Sequence, residues 1–219
     1  MGLAELLGAG RGVTSVIGSG GKTSLLATLA RELPGTVVLT TTTHILPFAG
    51  VPLVTSDDAG DVVAALAESR VVCVGSRSEK NGKLAAPRLD MGVLAALADH
   101  VLVEADGSRG LPLKAHLPHE PVLPQEAGQV IAVLGLTGLG RPIAEAAHRP
   151  KCYAELAGCT PEDIATPERA ARVLEAEALH TRVLLNQADA ADGTALLARL
   201  HCPAVLASLR KGEIVSCSF

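Results

Sequence analysis

Apolar residues occur in this chain as short runs, separated by longer segments in which they recur every three or four positions. The runs are rich in Val, Ile and Leu and are bounded by Gly, Pro or polar clusters, which is typical of strands buried within a sheet. They predict seven strands, in the segments GVTSVIG, TVVLTTTTH, RVVCVG, VLVEADG, QVIAVLG, TRVLLNQAD and PAVLASL.

The segments between these runs are predicted to be helices. KTSLLATLARELPG places Leu25, Leu26 and Leu29 on one face, and SDDAGDVVAALAES offers Ser56 or Asp57 as an N-cap. DMGVLAALADH and GTALLARLH are two further helix candidates. Because short strands alternate with helices, the chain is predicted to be an α/β protein with a mainly parallel sheet and helices on both faces.

The same pattern predicts a single domain over residues 1–219, with a mostly helical insertion around residues 139–178. Residues 108–125 are rich in Pro and His and are expected to form a loop. Asn81-Gly82 is a turn signal between the third strand and the helix that follows it.

Composition narrows the classes of partner. Aromatic residues make up only 1% of the chain, namely Phe48, Tyr153 and Phe219, so the core must consist of aliphatic side chains. Nucleic-acid surfaces built on stacked aromatic rings are therefore disfavoured. The formal net charge of -4, without a long basic run, also argues against a nucleic-acid partner.

Cysteine usage and hydropathy indicate the compartment. The five cysteines are scattered, form no C-x-x-C pair and are odd in number, so a disulfide framework is not expected. No apolar stretch approaches the roughly 18 residues that a membrane span needs. The N-terminus lacks the pattern of a secretory signal. We therefore expect a cytoplasmic protein without a membrane partner.

The first predicted strand ends in a glycine-rich turn that opens the first long helix. Glycines allow backbone N–H groups to approach phosphate oxygens, and the helix N-terminus adds partial positive charge. We expect the Lys22 side chain to reach solvent and the terminal phosphates of ATP or GTP, with Thr23 or Ser24 binding Mg²⁺. The predicted loop consists of Gly18, Ser19, Gly20, Gly21, Lys22 and Thr23.

This loop is shorter than the usual phosphate-binding pattern, which would require glycine where the chain has Val16. Its G-x-x-G-K-T spacing resembles the loop of Mur-ligase-type enzymes. A tight turn between a strand and a helix would explain one or two of the glycines but not G-G-K-T together. We therefore interpret the loop as a variant nucleotide site of a fold similar to P-loop NTPases.

Two acidic residues follow the fourth apolar run. Glu104 and Asp106 should project from the same face if the strand continues, so that one binds Mg²⁺ and the other positions a nucleophile. The E-x-x-G spacing from Glu104 to Gly107 resembles the second acidic motif of metallochaperone-type P-loop proteins. Arg109 either neutralises a transferred phosphoryl group or is a surface arginine.

Two further motifs follow predicted strands. The second strand leads into Thr40, Thr41, Thr42, Thr43 and His44, at the end of a parallel strand where ligands bind in open α/β sheets. Their hydroxyls could contact phosphate, magnesium-bound water or substrate, and the imidazole could act as an acid, a base or a metal ligand.

The second of these motifs is LLNQAD. Asn186 and Asp189 keep the spacing of the guanine-reading motif N-K-x-D, although Gln187 replaces its lysine. In that motif the acidic residue accepts hydrogen bonds from the guanine base. A polar turn after a strand is the alternative interpretation.

The segment KAHLPHEP carries His116 and His119 beside Glu120. The H-x-x-H spacing could support a metal site, but no helix or cysteine partner accompanies it. We favour a polar loop that contacts substrate.

The motifs GSGGKTSLL, TTTTHI and VEADGSRGLPLKAHLPHEPV, in this order, resemble the YqeC-like family. The resemblance spans nearly the whole chain. It implies nucleotide binding and an accessory role in the maturation of selenium-dependent molybdenum hydroxylases, but it supplies no reaction. It marks Gly18 to Thr23, Thr40 to His44, Glu104, Asp106, Gly107, Arg109, Lys114, His116 and His119.

Two classes of function follow. One is an accessory protein that hydrolyses a nucleoside triphosphate and assists a molybdenum hydroxylase or its cofactor-maturation proteins. The other is a ligase-like or kinase-like enzyme that acts on a small cofactor precursor. The short loop favours the enzyme, whereas the E-x-x-G and N-x-x-D motifs favour the accessory protein.

Overall fold

A computed structural model of the protein describes residues 1–78 and 82–219. The contacts within the chain divide it into two compact units, and the single domain over residues 1–219 stays a prediction. The first unit comprises Met1–Val16, Thr23–Asp106 and Val122–Gln129, and the second comprises Ile17–Lys22, Gly107–Pro121 and Val130–Phe219.

All seven predicted strands are present, together with several short ones. The strands are β1 (Gly12–Gly18), β2 (Val37–Thr41), β3 (His44–Ile45), β4 (Leu53–Val54), β5 (Val71–Val74), β6 (Ser76–Arg77), β7 (Leu84–Ala85), β8 (His100–Glu104), β9 (Leu113–Lys114), β10 (Ala127–Gly135), β11 (Ala147–His148), β12 (Arg182–Asn186), β13 (Ala204–Ser208) and β14 (Glu213–Ser218).

The predicted helices are also present, with a few shorter ones. The helices are α1 (Leu3–Leu6), α2 (Lys22–Glu32), α3 (Ala59–Glu68), α4 (Met91–Leu97), α5 (Ile143–Ala146), α6 (Pro150–Ala157), α7 (Pro167–Glu177) and α8 (Thr194–Leu197), and a 3₁₀ turn spans Leu136–Gly138.

The first unit is built on parallel strands in the order β1-β8-β2-β5-β4. Val13 lies opposite Val101, and Val101 lies opposite Val38, so aliphatic side chains of neighbouring strands stack on one face. These residues join a buried cluster that includes Val62 of α3 and Leu94 of α4. Burial of this aliphatic face against two helices stabilises the unit by removing apolar surface from water.

The second unit has the strand order β14-β13-β12-β10, in which only β14 runs antiparallel to its neighbour. The short strands β9 and β11 form a separate parallel pair, with His148 opposite Lys114. Helices α5, α6 and α7 lie within residues 143–177. Both units therefore combine helices with mainly parallel strands, and the predicted α/β class is confirmed.

Several predicted details of the helices are confirmed or need correction. Leu25, Leu26 and Leu29 of α2 are fully buried, as expected. The N-cap of α3 is Asp58, whose side chain accepts a hydrogen bond from the Gly60 N–H at 2.7 Å, so the prediction of Ser56 or Asp57 is wrong. Those two side chains bind Asp61 and Arg88 instead.

Several predicted strand and loop boundaries also differ. Strand β2 ends at Thr41 because the Thr43 N–H donates to the Thr41 hydroxyl at 2.9 Å and turns the backbone away from the sheet. Residues 108–125 contain β9, although a loop is predicted there. Helix α8 is only one turn long, and β14 was not predicted. Asn81 of the predicted turn lies outside the described residues.

Within the part of the chain that the structure describes, every helix is too short or too polar to cross a membrane.

Candidate functional site

The loop between β1 and α2 has a backbone that only glycine adopts readily. Gly18 and Gly20 have φ values of +89° and +85°. A Cβ atom at Gly18 would lie 2.3 Å from the Val133 carbonyl oxygen, and one at Gly20 would lie 2.4 Å from the Cα atom of Gly135. Both positions therefore require glycine for conformation and for space. The Ser19 N–H donates to the Val133 carbonyl at 2.8 Å and fixes the loop to β10.

Asn186 fastens this loop from the end of β12. Its amide Nδ2 donates to the Gly20 carbonyl at 2.7 Å, while its Oδ1 accepts from the Leu209 N–H at 3.0 Å. A Cβ atom at Gly21 would lie 2.3 Å from the same Nδ2, so the amide packs directly on the loop. The structure thus gives Asn186 the role of shaping the loop.

Lys22 is buried, with only 5% of its surface exposed. Its Nζ donates to the Gly18 carbonyl at 2.8 Å and to the Ser108 hydroxyl at 3.3 Å. The expectation that this side chain reaches solvent is wrong, because the ammonium folds back over the loop. This position sets the positive charge directly against the loop backbone, where a phosphate group would be cradled.

Asp189 binds side chains of the second unit. Its Oδ1 accepts from the Ser208 hydroxyl at 2.6 Å, and its Oδ2 accepts from the Arg210 Nε at 3.0 Å. The Ser208 hydrogen bond, and then that of Arg210, lowers the pKa of the Asp189 carboxyl. Both oxygens that would read a guanine base are thus engaged, so base reading would require Ser208 and Arg210 to release Asp189.

Gln187 occupies the place of the lysine in the guanine-reading motif. It has a φ of +74°, which is uncommon for a residue other than glycine. Its Oε1 accepts a hydrogen bond from the Thr137 hydroxyl at 2.6 Å. Gln187 therefore holds the 3₁₀ turn after β10.

Thr23 and Glu104 meet in the first unit. The Thr23 hydroxyl donates to the Glu104 Oε2 at 3.0 Å. Thr23 and Ser24 are exposed, whereas Glu104 is 8% exposed at the end of β8. A hydroxyl and a carboxylate at this separation are oxygen ligands of the kind that Mg²⁺ prefers.

Asp106 and Arg109 follow Glu104 in the chain. Strand β8 ends at Glu104, so strand alternation does not determine the direction of the Asp106 side chain. Asp106 is 1% exposed. Arg109 is exposed and has a φ of +53°. A buried carboxylate and an arginine with a strained backbone are features that cluster at functional sites.

The threonine run binds mainly to backbone carbonyl groups of the first unit. The hydroxyls of Thr40, Thr41 and Thr42 donate to the carbonyls of Val74, Glu104 and Val122 respectively, at distances of 2.8, 2.8 and 2.6 Å. The Thr43 hydroxyl lies 3.4 Å from that of Thr41. His44 pairs with Ala85 in the small sheet of β3 and β7. Propensity and backbone bonding therefore account for much of this run.

The imidazoles of His116 and His119 have different surroundings. His116 is buried, and its ring Nδ1 lies 2.9 Å from the Glu177 Oε2, while its backbone N–H donates to the Glu177 Oε1 at 2.6 Å. His119 is exposed. Residues 1–78 and 82–219 contain no group of three His, Cys, Asp or Glu side chains arranged to hold a metal ion.

A small cavity of about 20 Å³ lies in the second unit, which is room for one water molecule. Its lining includes Gly18, Lys114, His116, Tyr153 and Glu177. The Tyr153 hydroxyl is buried and has no hydrogen-bond partner within the described parts of the chain. A water molecule in this cavity would form a hydrogen bond with the Tyr153 hydroxyl of α6 and could also contact the other polar residues that line the cavity.

Sequence reasoning missed Glu177, Tyr153 and Arg149 as members of this region. They lie in a helical segment without a recognisable motif, and their chemistry depends on which loop they contact. The local signal in the sequence is Pro150, because the residue before a proline is disfavoured in the right-handed helical region, and Arg149 is left-handed in the structure.

Comparison with known proteins identifies relatives of the chain. Residues 14–151 match the family model described as YqeC protein. The chain is 40% identical over 159 residues to a protein named "Uncharacterized protein YqeC" from Escherichia coli strain K12, over 68% of this chain and 62% of that relative. The chain thus spans less than two thirds of that relative's length.

The family match includes the glycine loop, the threonine run, Glu104 and Asp106, and it ends before Asn186. It covers more than half of the chain. The chain therefore belongs to the YqeC family.

Proposed function

We propose that the protein binds a nucleoside triphosphate at the glycine loop and hydrolyses it. The loop geometry carries this proposal, since three positive-φ glycines, Gly18, Gly20 and Gly21, precede a helix that begins at Lys22. Backbone N–H groups, the helix N-terminus and the lysine ammonium together favour a polyphosphate. ATP and GTP both remain candidates, because Asp189 is engaged with Arg210.

Mg²⁺ would bind to Thr23 and Glu104, whose hydroxyl and carboxylate oxygens lie 3.0 Å apart. The ion would neutralise charge on the phosphates. Asp106, a buried carboxylate, would accept a hydrogen bond from the attacking water and orient it. Arg109 would donate to the oxygens of the transferred phosphoryl group.

For the biological role, we propose an accessory protein in the maturation of a selenium-dependent molybdenum hydroxylase. The support is the resemblance carried by the GSGGKTSLL, TTTTHI and VEADGSRG motifs, together with membership of the YqeC family. A nucleotide-driven accessory protein of this kind would work in the cytoplasm and contact the hydroxylase or one of its maturation proteins.

A second candidate is a ligase-like or kinase-like enzyme that transfers a phosphoryl group to a small cofactor precursor. The shortened G-x-x-G-K-T spacing supports it, as does the buried polar region around Lys114 and His116. Rapid turnover with one small molecule would favour this enzyme, whereas slow hydrolysis stimulated by a protein would favour the accessory role.

The test of nucleotide binding is calorimetric titration of ATP and GTP, with Mg²⁺, into wild type and Lys22→Ala. We expect the substitution to reduce affinity roughly ten- to a hundredfold, because a charge-assisted hydrogen bond contributes about 1.5–3 kcal/mol. Lys151→Ala, which changes an exposed lysine of the second unit, is the matched control and should bind normally.

Because Lys22 is buried, Lys22→Met should also be measured, since it keeps most of the packing of the side chain. Thermal unfolding would show whether either variant has lost its fold. Equal affinity in wild type and both folded Lys22 variants would contradict the proposed nucleotide site.

A further inference from the structure

Three basic side chains gather around Glu120 in the second unit. The Glu120 Oε1 accepts a hydrogen bond from the Arg149 Nη2 at 3.0 Å, and its Oε2 lies 3.6 Å from the Lys114 Nζ. The register of β9 with β11 sets His148 opposite Lys114. The Lys114 side chain is fully buried, whereas that of Arg149 is 34% exposed. The group is therefore reachable from solvent at its arginine end.

The electrostatic field in this group is positive. Burial lowers the pKa of His148, and the charges of Lys114, Arg149 and Arg109 lower it further, whereas only Glu120 acts in the opposite direction. The imidazole is therefore held neutral and can donate a hydrogen bond to an anion through one ring nitrogen. A field of this sign favours entry of an anion.

Arg149 has two features that a purely structural ion pair does not require. Its φ and ψ of 68° and 54° are left-handed, a conformation that costs free energy in residues other than glycine. Its Nε is buried and has no hydrogen-bond partner within residues 1–78 and 82–219. Half of the fork with which a guanidinium binds two oxygens is thus unused. Arg149 also occupies the N-cap position of α6 without a side-chain capping hydrogen bond, so it lies at the positive end of the helix dipole.

We propose that Lys114, His148 and Arg149 form a second anion site, which binds a phosphate- or sulfate-type tetrahedral group of a small molecule. Glu120 occupies the site in the absence of this ligand. Its two carboxylate oxygens contact Lys114 and Arg149. A tetrahedral oxyanion has enough oxygens to contact all three basic side chains and to use both N–H groups on one edge of the guanidinium.

The site neighbours the glycine loop through consecutive residues of the second unit. The Lys114 Nζ donates to the Gly107 carbonyl at 2.7 Å, and the Lys22 Nζ donates to the hydroxyl of Ser108, the next residue. The ligand is thus suited to be a second substrate whose anionic group is held beside the nucleotide. This role as second substrate rests on the proposed function, whereas the anion site itself does not.

The experiment is calorimetric titration of sodium sulfate, and separately of inorganic phosphate, into the full chain at constant ionic strength. We expect saturable binding that Arg149→Gln weakens about tenfold or more, since a charge-assisted contact is lost. Glu120→Gln should tighten binding several-fold, because it removes the competing carboxylate. Arg141→Gln and Glu145→Gln, which alter an exposed ion pair of the same unit, are the matched controls.

Lys22→Ala separates this site from the glycine loop. Sulfate binding that survives Lys22→Ala and is lost in Arg149→Gln supports the second site, even if no nucleotide binds. Sulfate binding that is lost in Lys22→Ala and kept in Arg149→Gln would place the anion in the loop and overturn the proposal. Absence of saturable sulfate and phosphate binding to wild type, or unchanged affinity in Glu120→Gln, would also overturn it.

Discussion

At the scale of single residues, the glycine loop depends on close approach between backbone segments. Gly20 lies so near to Gly135 that a Cβ atom would come within 2.4 Å of its Cα, and neither backbone can give way easily. Gly140 also has a positive φ, of +79°, but a Cβ atom there would meet nothing within 4 Å. Both glycines therefore have a left-handed backbone, but only Gly20 also lacks space for a Cβ atom.

Gly20→Ala should destabilise the protein more than Gly140→Ala. Both substitutions carry the cost of a left-handed residue, about 1–2 kcal/mol. Gly20→Ala adds a backbone clash that must shift β10 or the loop. Urea unfolding of both variants would measure the difference in free energy of unfolding. Equal losses would mean that the loop relaxes freely around a side chain at position 20.

The carboxylates of Glu104, the last residue of β8, and of Asp106, which follows it, should act on hydrolysis more than on binding. Glu104→Gln and Asp106→Asn keep the size of each side chain and remove the charge that would hold Mg²⁺ or orient water. We expect turnover at saturating Mg²⁺ to fall by at least about a hundredfold, the lower range for a lost acid–base group. Glu68→Gln, at the end of α3 and exposed, is a suitable control. Turnover at the wild-type rate in both variants would contradict a role of these carboxylates in hydrolysis and would mean that they are only polar residues at a strand end.

At the scale of elements, a single carboxylate joins the beginnings of β2 and β8. Asp99 accepts hydrogen bonds from the Thr36 N–H at 2.8 Å and the Thr36 hydroxyl at 3.0 Å. The Asp99 N–H in turn donates to the Thr36 hydroxyl at 2.9 Å. The bond from the Thr36 N–H is the largest cause that lowers the pKa of the Asp99 carboxyl. Because the ionised carboxylate is the stronger acceptor for both Thr36 donors, Asp99 stabilises the alignment of β2 and β8 more when ionised than when protonated.

This coupling predicts a pH dependence of stability. Because folding lowers the pKa of Asp99, its contribution is present above the ordinary carboxyl pKa, about 3.9, and is lost as pH falls through the folded value. Asp99→Asn should therefore be less stable than wild type near neutral pH, and this difference should shrink below about pH 4. Urea unfolding at several pH values would measure it. Asp57→Asn, in an exposed ion pair with Arg88, is the control. A constant difference across pH would contradict this account of Asp99.

At the scale of the whole molecule, both units have an α/β organisation. Residues 18–22 of the glycine loop belong to the second unit, whereas Thr23 belongs to the first. A protein that couples nucleotide chemistry to a client commonly does so through segments that order when nucleotide binds. The polar segment from Arg109 to Glu120 is the candidate here, because it carries Lys114 and His116.

The proposed accessory role predicts a defined phenotype. In a strain that lacks this gene, the selenium-dependent molybdenum hydroxylase polypeptide should be present but inactive, because its cofactor is incomplete. A wild-type copy should restore activity, and a Lys22→Ala copy should not. The measurement is hydroxylase activity, together with the molybdenum and selenium content of the purified enzyme. Full hydroxylase activity with normal molybdenum and selenium content in the deletion strain would contradict the proposed accessory role.

The sequence by itself determined the element types and the glycine loop. The seven buried strands and helix α2 follow from local periodicity, which burial in a sheet or on one helix face imposes directly. The sequence predicts the loop from its glycines and lysine, which have a spacing like that of phosphate-binding loops. The sequence predicts Thr23 and Glu104 as Mg²⁺ ligands, and the structure adds the 3.0 Å hydrogen bond between them.

Only the tertiary structure decided which side chains brace the loop and which surround Glu120. Asn186 lies 166 positions from Gly20, and Glu177 lies 61 positions from His116, so no local pattern could connect them. The same applies to the hydrogen bond between Lys22 and Ser108 and to the engagement of Asp189 by Arg210. Hydrophobic periodicity reports whether a side chain is buried, whereas hydrogen-bond partners depend on where the chain returns after folding.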